Sequence, residues 1–225
     1  MHTTKHLADF AQDSACYILE RGRAAIAERG LFRLGLAGGN TPRAVYAAMA
    51  AQGTDFPWAK VQITFGDERC VPPDDKDSNF RMAQESLLSA APIPAGNVFR
   101  MRGEIDPAAA ASEYEAQLAA VAARFGEPRY SHDLLLLGLG PDGHTASLFP
   151  GSVALDENER NIIPATGPKP PPQRLTMTFP LINAAREIAF LVNEAAKQSV
   201  IDEVQAGDPR HPAARITSAT WLLGF

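Results

Sequence analysis

The chain of 225 residues has only two cysteines, Cys16 and Cys70. Two cysteines make no disulfide framework and match no zinc-binding spacing. A reducing, cytoplasmic setting is therefore expected, with Cys70 a small core residue rather than a reactive thiol. Long apolar runs are missing as well. No segment approaches the roughly 20 residues that a membrane helix needs, and the stretch Met1 to His6 is polar, without a signal-peptide apolar region. Nor is there an excess of positive charge. Lys and Arg total 21 against 26 Asp and Glu, a net charge of −5. That argues against general nucleic-acid binding, which calls for a basic face. It leaves room for a small anionic substrate held by a few local cations. The chain has no Walker lysine loop, no G-x-G-x-x-G fingerprint and no G-x-S-x-G elbow. No nucleotide, metal or other cofactor is expected.

What is present reads as a globular α/β protein: 45% hydrophobic and 21% charged, within the usual range. Helix-like and strand-like segments alternate. An amphipathic helix is expected from about Asp9 to Gly30. A strand follows at Phe32 to Ala37, then a helix opened by Thr41 as N-cap and Pro42 at its first position. Val61 to Phe65 alternates like a half-buried strand. Asn79 is expected to cap a helix through Leu88, and Asp106-Pro107 to open another that ends near Phe125-Gly126. Further strands are expected at Asp133 to Leu139, Leu175 to Phe179, Ile188 to Val192 and around Ile216, with Asn193 capping a helix that stops at Gly207. This order implies a mostly parallel sheet with helices on both faces. The Pro-rich segment Pro164 to Pro172 is expected to be a loop within one domain spanning residues 1–225.

Four segments carry polar groups suited to chemistry. Leu134 to Leu137 ends abruptly in Gly138-Leu139-Gly140-Pro141-Asp142-Gly143-His144, followed by Thr145 and Ser147. This places an imidazole beyond the carboxyl end of a buried strand, where open α/β sheets bind ligands. Leu36-Ala37-Gly38-Gly39-Asn40-Thr41-Pro42 is a strand, a glycine pair and a helix start, which reads either as an ordinary strand-to-helix turn or as an anion site. Gly66-Asp67-Glu68-Arg69 follows another strand. It reads either as a solvated turn or as an arginine able to grip a phosphate with Asp67 orienting it. Lys169-Pro170-Pro171-Pro172-Gln173-Arg174 holds two cations on a stiff loop, and taken by itself reads as a solvated Pro-rich loop.

Together with Ser78-Asn79 and the longer run Gly138 to Pro150, these segments resemble the 6-phosphogluconolactonase family in order and spacing, over about Leu34 to Trp221. The related glucosamine-6-phosphate deaminases share the Asp-Gly-His core. They are expected to continue differently, without Thr145-Ala146-Ser147-Leu148-Phe149-Pro150. The family commonly carries glycine a few residues before the lysine that Lys197 matches; here that position is Glu194. The resemblance implies a three-layer αβα fold with a mostly parallel, Rossmann-like sheet of the sugar-phosphate isomerase/deaminase kind. It also implies hydrolysis of 6-phospho-D-glucono-1,5-lactone by a cytoplasmic monomer or weak homo-oligomer. His144 is the expected general base, because an imidazole titrates near ~6.5, and Asp142 orients it or shares the proton work. Gly38, Gly39, Asn40, Thr41, Asp67, Arg69, Lys169 and Arg174 are the expected substrate and phosphate contacts. Two other functions stay open at this point: an amino-sugar-phosphate isomerase or deaminase, and a sugar-phosphate-binding regulator without turnover.

Overall fold

A computed structural model describes residues Met1–Phe225. Six parallel strands form the main sheet in the order β1 (His2–His6), β9 (Ala219–Leu223), β8 (Ile188–Val192), β5 (Leu134–Leu137), β2 (Phe32–Leu36) and β3 (Val61–Phe65). The run of four leucines in β5 explains why this sheet is covered on both sides. Side chains alternate across a strand. Leu134 and Leu136 enter one buried cluster of 28 residues, and Leu135 and Leu137 enter another of 30. Two cores of nearly equal size on opposite faces require helices on both. On one face pack α1 (Phe10–Arg29) and α2 (Thr41–Gln52). On the other pack α4 (Pro107–Arg124) and α6 (Gln198–Gln205).

Two short helices, α3 (Asn79–Ala83) and α5 (Phe179–Ile182), complete the set. A second sheet was not expected. It is antiparallel, in the order β4 (Asp67–Arg69), β7 (Gln173–Met177), β6 (Ile162–Thr166). The chain enters it directly from β3 through Gly66, so Asp67 and Arg69 sit just past the carboxyl end of a main-sheet strand.

Several boundaries differ from the sequence expectation. α2 begins at Thr41, so Asn40 precedes it and Thr41 is no cap. Ser78, not Asn79, caps α3 by accepting from the Arg81 N–H, and the regular helix loosens into a π turn at Gln84–Leu88. Asn193 caps nothing: a 3₁₀ turn at Ala195–Lys197 intervenes before α6. Ile216 precedes the last strand instead of lying in it, and Phe179 opens a helix instead of closing a strand. β1 was missed because its edge position leaves it polar and mostly exposed, with no apolar alternation to read. The Pro-rich segment is split between β6, which includes Pro164, and the hairpin loop closed by Gly167 N–H to Pro172 C=O at 2.7 Å.

Candidate active site

The strand order creates the site. From β2 the chain moves to β3 on one side, whereas β5 lies on the other. The loops after β2 and β5 therefore diverge and leave a crevice at the carboxyl ends, as open α/β sheets do at such a point. A cavity of about 320 Å³ fills it, lined by Gly38, Gly39, Asn40, Thr41, Asp67, Arg69, Gly140 and His144, with Glu194 and Lys197 from beyond β8. A second cavity of about 310 Å³ adjoins it, lined by Asp142, Phe149, Lys169 and Arg174. Asp67, Arg69, His144 and Ala146 border both. The ten residues expected to act on or bind substrate thus line one two-lobed cleft.

His144 stands between the lobes. Its Nδ1 lies 2.5 Å from Asp142 Oδ1, and its backbone N–H donates to the same oxygen at 3.2 Å. Partial burial pushes the Asp142 carboxyl up, but these bonds outweigh it and hold the group below the usual carboxylate range. An ionised carboxylate only accepts hydrogen bonds, so Nδ1 carries a proton, and Nε2 has no protein partner. Phe149 packs on the ring at 4.6 Å between centroids. The turn is tight: a Cβ on Gly140 would come within 2.0 Å of His144 Nδ1, so a residue with no side chain is needed there. Ala146 holds φ of 48°, an uncommon conformation for a residue with a side chain and one that clusters at binding sites.

Arg69 and Arg174 face each other as register partners across β4 and β7. Like charges directly opposite destabilise a sheet, and neither arginine has a carboxylate within salt-bridge distance. Arg69 Nη1 donates to Asp77 C=O at 2.6 Å, and Arg174 Nη2 reaches Lys169 C=O at 3.4 Å. Both Nε atoms are buried without any partner. Burial, and then the Arg69 charge, push Arg174 below the ordinary arginine range. Two facing guanidiniums with buried Nε donors to spare could both donate to one anion. Lys169 lies on the loop above.

Asp67 is anchored. Ser147 Oγ–H donates to its Oδ2 at 2.6 Å, and Asn79 Nδ2–H donates to its Oδ1 at 3.0 Å. Asn79 is itself fixed by Glu68, whose buried carboxylate accepts from the N–H groups of Asn79 and Phe80 and from the Ser78 hydroxyl. Burial raises Glu68 above the ordinary carboxyl range despite these bonds. The hydroxyls of Thr145 and Ser147, read in the sequence as crowding the site, are fully buried and belong to its framework. Glu194 and Lys197 form an ion pair at 2.7 Å on the cavity wall. The sequence signalled this lysine only through the resemblance. Phe149 and Asn79 sat inside quoted motifs with no sign of their contacts.

The sequence matches the family described as glucosamine-6-phosphate isomerases/6-phosphogluconolactonase over residues 5–223. A 6-phosphogluconolactonase of Synechocystis sp. is 44% identical over 210 residues, covering 88% of this chain and 84% of that protein. One of Mycobacterium tuberculosis is 39% identical over 213 residues, covering 89% of this chain and 85% of the other. The crystal structure of 6-phosphogluconolactonase from Thermotoga maritima superposes with a TM-score of 0.87 at 29% identity, covering 100% of both chains. The chain belongs to the glucosamine-6-phosphate isomerase and 6-phosphogluconolactonase family, on its 6-phosphogluconolactonase side.

Proposed function

We propose that this protein hydrolyses 6-phospho-D-glucono-1,5-lactone to 6-phospho-D-gluconate in the oxidative pentose phosphate pathway, with His144 as general base. The observation that carries the reading is a single cleft holding an imidazole backed by a carboxylate and two guanidiniums without counter-ions. A lactone is a cyclic ester, so water must lose a proton as it attacks. Nε2 of His144 takes that proton, hydroxide adds to the carbonyl carbon, and the tetrahedral intermediate collapses with cleavage of the bond to the ring oxygen. The imidazolium returns the proton to that oxygen, leaving the open-chain acid and neutral His144. Asp142 holds the ring in the required tautomer and stabilises the imidazolium. The phosphate sits on Arg69 and Arg174, with Lys169 above and the start of α2, from Gly38 to Thr41, adding N–H groups and its dipole. No step calls for a metal, and turnover is expected to survive exhaustive chelation.

Deamination of an amino sugar phosphate calls for a carboxylate free to abstract a C–H proton. Both oxygens of Asp67 are already engaged, which favours the lactonase reading. A cytoplasmic location accompanies it, supported by two unpaired cysteines; no helix is long and apolar enough to cross a membrane. The test is lactone hydrolysis with and without the 6-phosphate, corrected for the spontaneous rate. Preference for the phosphorylated lactone is expected. Ammonia release from glucosamine 6-phosphate without lactonase turnover would replace this reading.

A further inference from the structure

Behind the Asp142–His144 turn, away from the cleft, lies a second histidine. His211 follows α6 and is 9% exposed. Its Nε2 is 2.6 Å from Glu203 Oε2 on α6, and its Nδ1 is 3.1 Å from the carbonyl oxygen of Asp142. A Cβ on Gly143 would come within 2.2 Å of His211 Nδ1, so the imidazole occupies the space a side chain there would need. Two residues on, the Ala213 N–H donates to the Gly143 carbonyl at 3.0 Å. The segment after α6 therefore grips Asp142 and Gly143 from behind at three points.

Both polar partners of this imidazole are acceptors, one a carbonyl and the other a carboxylate. A neutral imidazole has one N–H, so only the imidazolium satisfies both. The charged groups around it come from three segments: Glu203 from α6, Asp208 and Arg210 from the following turn, and Asp142, with His144 beyond it, from the loop after β5. Glu203, Asp208 and His211 place ligand atoms within 4.8 Å of one another. Arg210 already bridges the two carboxylates, at 2.6 Å from Asp208 and 3.2 Å from Glu203, so the cluster carries its own cation and is no metal site.

We propose that His211 is a positioning residue: anchored to Glu203, it holds the backbone of Asp142 and Gly143 so that the Asp142 carboxylate stays behind the His144 ring. The inference rests on the reading of His144 as general base with Asp142 orienting it. Asp142 has 43% of its side chain exposed, so its placement depends on its backbone more than on packing. The hydrogen bond to Glu203 raises His211 above the ordinary histidine range. The clamp is therefore complete below that raised value and loses one bond as pH rises through it.

His211→Phe keeps an aromatic ring against Gly143 and removes both donors. It should lower kcat between about 10- and 100-fold, the scale on which small misplacements cost rate, with KM nearly unchanged because the phosphate contacts are untouched. The deciding measurement repeats the substitution in an Asp142→Ala background. If His211 acts through Asp142, the second loss nearly vanishes there. Losses that multiply overturn the positioning role. Glu203→Gln supplies an independent arm, and stands in for His211→Phe in the cycle should that variant not fold. It should move the alkaline limb of kcat to lower pH, and an unmoved limb overturns the proposal. Near-normal turnover in His144→Gln sinks the general-base reading itself, whereas multiplying losses with Asp142→Ala sink only the role of His211.

Discussion

His132 and His144 flank the same strand, and their surroundings differ in every respect that sets the chemistry of an imidazole. His132 precedes β5 at the amino end of the sheet. It is fully buried, its Nε2 lies 2.8 Å from Thr64 Oγ1, and its Nδ1 has no partner. Burial, with the Arg33 charge adding to it, pushes it down to about 3. His144 lies beyond the carboxyl end, 29% of its side chain exposed and paired with a carboxylate. The residue type is the same. The end of the strand separates them, because the carboxyl ends of β2 and β5 open into the crevice, while His132 before β5 is packed in and fully buried. One histidine is packed into the framework and stays neutral until pH falls toward about 3, and the other has the exposure and the carboxylate partner that the proposed general base requires.

The contrast is sharpest if the two are broken separately. His144→Gln should lower turnover by on the order of 10²–10⁴, the usual worth of a general base, and leave phosphosugar binding and stability nearly intact. Steady-state kinetics beside a product-binding titration measures both, and a folded variant with near-normal kcat would defeat the assignment. The reverse is expected of His132: a variant that folds should keep its kcat.

The arginine pair extends the comparison within the cleft, since it should affect binding where His144 affects turnover. A hydrogen bond to a charged group contributes roughly 1.5–3 kcal/mol, so Arg69→Ala or Arg174→Ala should weaken use of the phosphorylated lactone by roughly 10- to 150-fold. Unphosphorylated gluconolactone should be affected little. The ratio of kcat/KM for the two lactones reads this directly, and equal losses for both would remove the phosphate role.

The effect of His132 appears in stability alone. Its folded pKa of about 3 lies below the unfolded value near ~6.5. The unfolded chain therefore binds the proton that the folded protein refuses. Stability is whole above pH ~6.5 and should fall toward pH ~3 by about 1.4 kcal/mol per pH unit from this group. Urea unfolding at pH values on either side of ~6.5 measures the slope. His132→Gln should flatten it and His144→Gln should not. A slope unchanged by His132→Gln would mean another group dominates.

Much of this was legible in one dimension, where local chemistry sufficed. The four leucines of β5 announce a strand buried on both faces, and the turn after it announces a ligand-facing imidazole, because apolar periodicity and glycine placement are local properties. The capping pattern at Asp106-Pro107 gave α4 correctly for the same reason: Asp106 accepts from the Ala109 N–H. The family resemblance drew His144, Asp142 and the arginines together. What the sequence could not provide were relations across the chain. That Arg69 opposes Arg174 depends on the antiparallel register of a three-residue strand, too short for any periodicity. That Ser147 serves Asp67, and that His211 stands behind Asp142, are contacts 80 and 69 residues apart. Sequence alone was enough for the buried central strands β2, β3, β5 and β8 and for the loops that carry polar groups, since side-chain alternation and backbone freedom are local. Only tertiary structure decided which of those groups meet, which carboxylates are already satisfied and which guanidiniums are left without a counter-ion, because these follow from strand order and burial.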